Sequence, residues 1–176
     1  MNILQKSIIF TTLLGVLLSY TLVFRKKNGY IKHPLWLGMD VSLVKCIVIL
    51  QLFAAIGFVM ALLRWMIVPP SRGILAKFNG LFITLLLFSI SANIWPWAVL
   101  YKHHFLVVSS LCLTAIASII LLAGSIEDSK TPMGGETSWL ITLGLLFLSL
   151  VTVLVDGVLW NAMYITLWKN DSLPII

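Results

Sequence analysis

Asp156 is a lone carboxylate inside an otherwise uncharged apolar run from Trp139 to Trp168. About twenty apolar residues in a helix cross a bilayer, so this run is long enough to span one with Asp156 far from either end. An ionised, unpaired carboxylate at that depth costs several kcal/mol, and such residues mark proton relays, ion pathways or ligand contacts. When uncharged, it would be a hydrogen-bond donor. Helical positions four and seven apart share a face. Asp156 is therefore predicted to share one with Ser149, Thr152, Trp160 and Met163. The opposite face is Leu and Val, so the polar and aromatic stripe is expected to face the bundle.

A preceding run repeats the pattern with Ser89, Asn93 and Trp97, and Trp95-Pro96 is expected to interrupt it. Counted inward from the span ends at 1.5 Å per residue, Asn93, Asp156 and Gln51 of the second run come out at similar depths. One reading is a shared polar pocket walled by Trp95, Trp97 and Trp160, in keeping with the mostly apolar character of small-molecule sites. The other is interhelical hydrogen bonding that holds the bundle together, at roughly 0.6 kcal/mol per bond. Lys45 is the basic residue nearest Asp156, about two helical turns closer to the span end, so an ion pair would need a long reach.

Other groups point to packing or to the interface. Ser110, Thr114 and Ser118 recur every four residues, and Gly57 precedes Ala61 by four. Small residues at this spacing let helices approach closely. Cys46 and Cys112 lie in apolar runs with no CxxC, which predicts buried packing residues and no disulfide framework. His103 and His104 are adjacent and point apart on a helix, so they read as an interfacial pair beside Lys102 and not as a metal site. Trp36, Trp139 and Trp168 fall at run ends, where aromatic belts are ordinary. No HExxH, GxSxG, Walker or di-iron carboxylate pattern is present, and no enzyme class is indicated.

These residues must be positioned by membrane spans. The chain of 176 residues is 60% hydrophobic and only 10% charged, far from the quarter charged of soluble domains. The expected fold is all-α, a polytopic integral membrane protein with a five-helix bundle. It forms a single membrane domain over 1–176, with spans at about 7–24, 41–68, 78–101, 105–126 and 139–168. Pro69-Pro70 should end the second helix. Arg25, Lys26 and Lys27 follow the first run where a signal peptide would need small residues, so that run is read as a retained span. A formal charge of +6 suits lipid phosphates as partners, and not nucleic acid. Arg25, Lys26, Lys27 and Lys32 in the first loop, with Lys102 in the third, predict a multi-pass topology with the N-terminus outside and the C-terminus cytosolic. Ser125 to Ser138 is expected to be a solvated loop.

Arg25 to Trp36, RKKNGYIKHPLW, resembles the first-loop KPxW element of the tryptophan-rich sensory protein (translocator protein) family. Leu52-Phe53, Ile56-Gly57-Phe58 and Leu62 to Trp65 are similar to that family's LYxxMGxxxxLVW span, with one residue extra. Asn93, Trp95 and Pro96 resemble its NxxWxP motif, one residue short, and Leu167 to Asn170 resembles its ending. His33 splits the lysine from Pro34, and the last span carries Asp156 in place of a Pro-Tyr element. The resemblance implies a five-helix bundle, often dimeric, whose cavity binds a tetrapyrrole or sterol-like ligand through Phe53, Trp65, Asn93 and Trp95, with Trp36 in the closing loop.

The leading expectation is therefore a membrane protein that binds or transports a hydrophobic small molecule, using Gln51, Phe53, Trp65, Asn93, Trp95, Trp97, Asp156 and Trp160 with Trp36 in the loop. The alternatives are a proton or ion pathway through Asp156, or a structural subunit that pairs Asp156 with a membrane-complex partner. No cofactor is indicated.

Overall fold

The computed structural model describes residues 1–25, 36–129 and 137–170. These residues form helices α1 (Ile3–Arg25), α2 (Val41–Ile67), the single turn α3 (Gly73–Ala76), α4 (Gly80–Leu100), α5 (His104–Ser129) and α6 (Thr137–Leu150). A π-helical segment, Val151–Trp160, follows without a break and leads into α7 (Asn161–Lys169). Among the described residues five helical stretches are long and apolar enough to cross a membrane, the fifth being Trp139–Lys169. In hydrocarbon every backbone polar group must be satisfied within the segment, which makes the helix the only available form for such runs. The protein is an all-α, five-span membrane bundle.

Local chemistry sets the ends. The Asp40 carboxylate caps α2 by accepting from the Ser42 backbone N–H at 2.8 Å, and α2 ends at Ile67, two residues before the proline pair. The Ser42 backbone and side-chain donors hold the Asp40 carboxyl below the usual carboxylate range. A depressed folded-state value means that the cap contributes fully above about pH 4 and is lost as pH falls through the lowered value. Amide exchange in the first turn of α2 should therefore speed up, relative to an Asp40→Ala protein, as protection disappears below about pH 4. Equal protection of the two proteins at neutral pH would refute the cap.

The helices pack in the spatial order α1, α4, α5, α6, α2. Lipid tails are as apolar as leucine, so close approach and hydrogen bonds hold such a bundle together, not hydrophobic exclusion. Gly57 of α2 meets Gly144 of α6 backbone to backbone, and a Cβ on either would collide with the other's main chain. Gly124 of α5 leaves room for Leu75, which α3 tucks between α4 and α5. Glu127 Oε2 secures that turn by accepting from the Ile74 N–H at 2.9 Å. Arg64 and Asp128 pair at 3.4 Å at the same end. Helix α1 is peripheral: only 11% of its span window is buried, against 56% for α4.

Three expectations need correction. Pro96 lies inside α4 and does not interrupt it, because a transmembrane helix packed between α1 and α5 tolerates one lost ladder bond. Ser125 to Asp128 belong to α5 and not to a loop; Ser125 is buried and bonded to Thr142 at 2.8 Å. Ser129 is likewise in α5, and Thr137 and Ser138 open α6; residues 130–136 of the expected loop lie outside the described residues. Cys46 and Cys112 are exposed on the bundle's flanks, since in a lipid-embedded chain an apolar context does not distinguish inward from outward. The small-residue predictions hold: Gly57, Ala61, Ser110, Thr114 and Ser118 are all buried.

Candidate functional site

Asp156 sits within the π-helical segment, with Gly157 beside it. π-helical turns are rare and recur at functional sites. Leu154 and Val158, two residues to either side, are exposed, whereas Thr152 and Trp160, about one turn to either side, are buried. Asp156 thus faces the inward side of its span. Its neighbours divide between two helices: Val155 packs with the α2 cluster of Val44 and Ile47, and Gly157 lies against Ala115 of α5. Among the described residues the Asp156 carboxyl makes no hydrogen bond or ion pair. Lys45 is exposed and does not reach it.

Polar contacts align along the antiparallel seam between α5 and the fifth span. At one end stand the Arg64–Asp128 pair and the Ser125–Thr142 hydroxyl pair. Nearer the centre, the Ser149 hydroxyl donates to the Ser118 carbonyl at 3.0 Å, and the Ser118 and Thr152 hydroxyls lie 2.5 Å apart. Asp156 follows, one turn beyond Thr152. Next comes Asn161, whose amide donates to the Gly157 carbonyl at 3.2 Å and lies 3.8 Å from Cys112 Sγ. Its Oδ1 is buried and has no hydrogen-bond partner among the described residues. At the far end His104 Nδ1 and the Tyr164 hydroxyl are 2.8 Å apart, and His104 stacks on Trp168 at 4.3 Å.

The seam's hydroxyls contribute modestly to stability. Removing the Ser118 hydroxyl by Ser118→Ala should cost about 0.6 kcal/mol, the average for a hydrogen bond between membrane helices. Thermal unfolding in detergent measures it; a loss several-fold larger would make the seam mainly structural.

The predicted site residues do not all converge. Trp95 and Trp160 do meet, edge to face with centroids 5.4 Å apart. Tyr20 of α1 packs on Trp95 and accepts from its Nε1 at 2.9 Å, while Tyr164 stacks on Trp160 at 4.9 Å. The four rings stack or pack on one another in sequence. Asn93, expected beside Asp156, instead faces α1: its Oδ1 accepts from the Ser19 hydroxyl, and its amide lies over Gly15. Trp97 also turns to α1, donating to Ser19 Oγ at 3.0 Å. The physical reason is α4's central position, which gives it polar partners on two sides; Ser91 meets Thr114 of α5 at 2.8 Å, and Ser89 meets Thr12 of α1 at 2.9 Å.

Gln51 lies half-buried on α2 between the buried positions Ile47 and Ala54, on the side that packs against α6 and the π segment. Phe53 is exposed and packs on Phe147 at 5.8 Å. Trp65 is buried in the core cluster with Leu75 and Leu121, apart from the Trp95–Trp160 cluster. Trp36 is buried against Val44 and Ile47. Residues 26–35, most of the first-loop element, lie outside the described residues.

Asn161 and the His104–Tyr164 pair were not found from sequence. Asn161 lies five residues from Asp156, off the α-helical spacing of four and seven; the wider π turn brings that interval to about one turn. No family of known proteins, no curated protein and no solved structure matches this chain.

Proposed function

We propose that the protein moves protons across the membrane, with Asp156 as the group that loads and unloads them. The observation that carries this reading is an inward-facing carboxyl in mid-span, in a π-helical turn, with no side-chain partner among the described residues. An ionised carboxylate at a helix centre costs about 2.5–3.5 kcal/mol on insertion scales, low enough for a short-lived state in each cycle. Ser118, Thr152 and Asn161 supply hydroxyl and amide groups on either side of it. Tyr164 with His104 at one end, and the Asp128 carboxylate with Arg64 at the other, place ionisable side chains near the two ends of the seam. Between Ser125–Thr142 and Ser118–Ser149 the seam is apolar for about two turns, roughly 10 Å, so conduction needs water or helix movement there.

The distribution of basic residues supports an orientation with the N-terminus outside and the C-terminus cytosolic. By sequence order that topology puts Arg25, Lys26, Lys27, Lys32, Lys45, Lys102 and Lys169 on the cytosolic side. It puts Lys6, Arg64, Arg72, Lys77 and Lys130 on the other side, five against seven.

Purified protein in liposomes carrying an internal pH-sensitive dye tests the reading. An imposed potential should drive saturable acidification well above that of empty vesicles. Rates equal to those of empty vesicles would remove the proposal.

A further inference from the structure

A second feature lies on the lipid-facing side of α4 and the start of α5, away from Asp156. A recess of about 280 Å³ is lined by Asn93, Ile94, Trp97, Ala98, Tyr101, His103 and Leu106. Trp97 and Tyr101, one turn apart, stack at 6.4 Å and 18° to form one flat wall. The Trp97 hydrogen bond to Ser19 fixes that wall in place. Ile94 and Leu106 are partly exposed, so the recess opens towards lipid. Its volume falls just below the 300–1,000 Å³ or so of drug-sized ligand sites, and a single hydrocarbon chain suits it better than a tetrapyrrole.

The recess ends at the tight turn joining α4 to α5. Lys102 there has φ 56, and its N–H bonds to the Val99 carbonyl; the His103 N–H bonds to the Ala98 carbonyl. These bonds fix Lys102 and His103, both exposed, at the interfacial end of an apolar groove. The first turn of α5 adds backbone N–H groups that lack intrahelical partners. An apolar groove ending in basic groups at headgroup level is complementary to an acyl chain carrying an anionic head.

We propose that this recess binds an anionic phospholipid, one acyl chain lying against Ile94, Trp97 and Leu106 and the headgroup held by Lys102 and His103. The site is independent of the proton reading and stands or falls separately. Native mass spectrometry of detergent-purified protein, delipidated and then titrated with phosphatidylglycerol or phosphatidylcholine, tests it. One phosphatidylglycerol should be retained in preference to phosphatidylcholine. Lys102→Gln should weaken that retention about fivefold, the effect of one cation near an anionic headgroup, and adding His103→Gln should weaken it further. Leu106→Trp, at a lipid-exposed position that tolerates an aromatic side chain, should displace the chain while leaving Lys102 and His103 in place. Equal retention of the two lipids overturns the proposal, as does phosphatidylglycerol retention unchanged by Lys102→Gln and Leu106→Trp in protein of wild-type helix content.

Discussion

Asp156→Asn is expected to reduce proton flux in liposomes to the rate of empty vesicles while leaving the bundle folded. Asparagine matches the carboxyl in size and hydrogen-bonding shape but cannot release a proton in the working range. The substitution removes no partner, because the carboxyl makes no hydrogen bond or ion pair among the described residues. Folding should therefore be unchanged or improved: the variant never bears the roughly 2.5–3.5 kcal/mol cost of a charge at the helix centre. Flux and melting temperature must be read on the same preparation. Lost flux with an unchanged or higher melting temperature supports a proton-carrying carboxyl. Wild-type flux in a folded Asn variant would reduce Asp156 to a structural residue and the seam to interhelical bonding. If instead the Asn variant loses association with a co-purifying membrane protein and no flux is seen in either form, the structural-subunit reading gains. Asp156→Glu keeps the titratable group but lengthens the side chain, so it should retain part of the flux.

Gly57→Leu is expected to be the most destabilising single change in the bundle. The main chains of α2 and α6 touch at Gly57 and Gly144, and even a Cβ at either position would collide with backbone. Backbone cannot rotate away as a side chain can, so the helices must separate along their contact. Overpacking typically costs about 1–3 kcal/mol, and a leucine at this contact should reach about 3 kcal/mol or more. Val155 and the Val44–Ile47 cluster pack between the same spans, so separation should also disturb the surroundings of Asp156. Gly144→Leu should behave alike, and the double variant should lose much less than the sum, because both act on one contact. Unfolding followed by circular dichroism in detergent gives these values. A Gly57→Leu protein within about 1 kcal/mol of wild type would mean that the two helices lie further apart than the structure places them.

The spans were legible from the sequence because hydrocarbon admits only helices and closed barrels, and continuous apolar runs of about twenty residues lack the alternation of barrel strands. The expected 41–68 became Val41–Ile67, and 105–126 became His104–Ser129. Facing was less legible. In a soluble protein a polar outer surface distinguishes the two sides of a helix, but here both sides are apolar, so Cys46 and Cys112 were assigned inward and point outward. Polar residues were the better guide. Ser149, Thr152 and Trp160 are buried as the stripe around Asp156 required, and Met163 is half-buried. Asn93 shows the limit of that guide: depth along a helix says nothing of direction, and α1 supplied a hydroxyl where Asp156 was expected to be the neighbour.

The sequence by itself determined the membrane setting, the number and limits of the spans, and the singular position of Asp156, because each follows from the cost of charge and unbonded backbone in hydrocarbon. Only the tertiary structure decided which polar residues meet. It joined Ser118 to Thr152, turned Asn93 and Trp97 to α1, closed Trp95 on Trp160, and placed Asp156 in a π-helical turn whose wider spacing brings Asn161 within about one turn of it. Those choices depend on helix order and on close contacts such as Gly57 with Gly144, which arise from packing between segments distant in the chain and leave no periodic signal within any one of them.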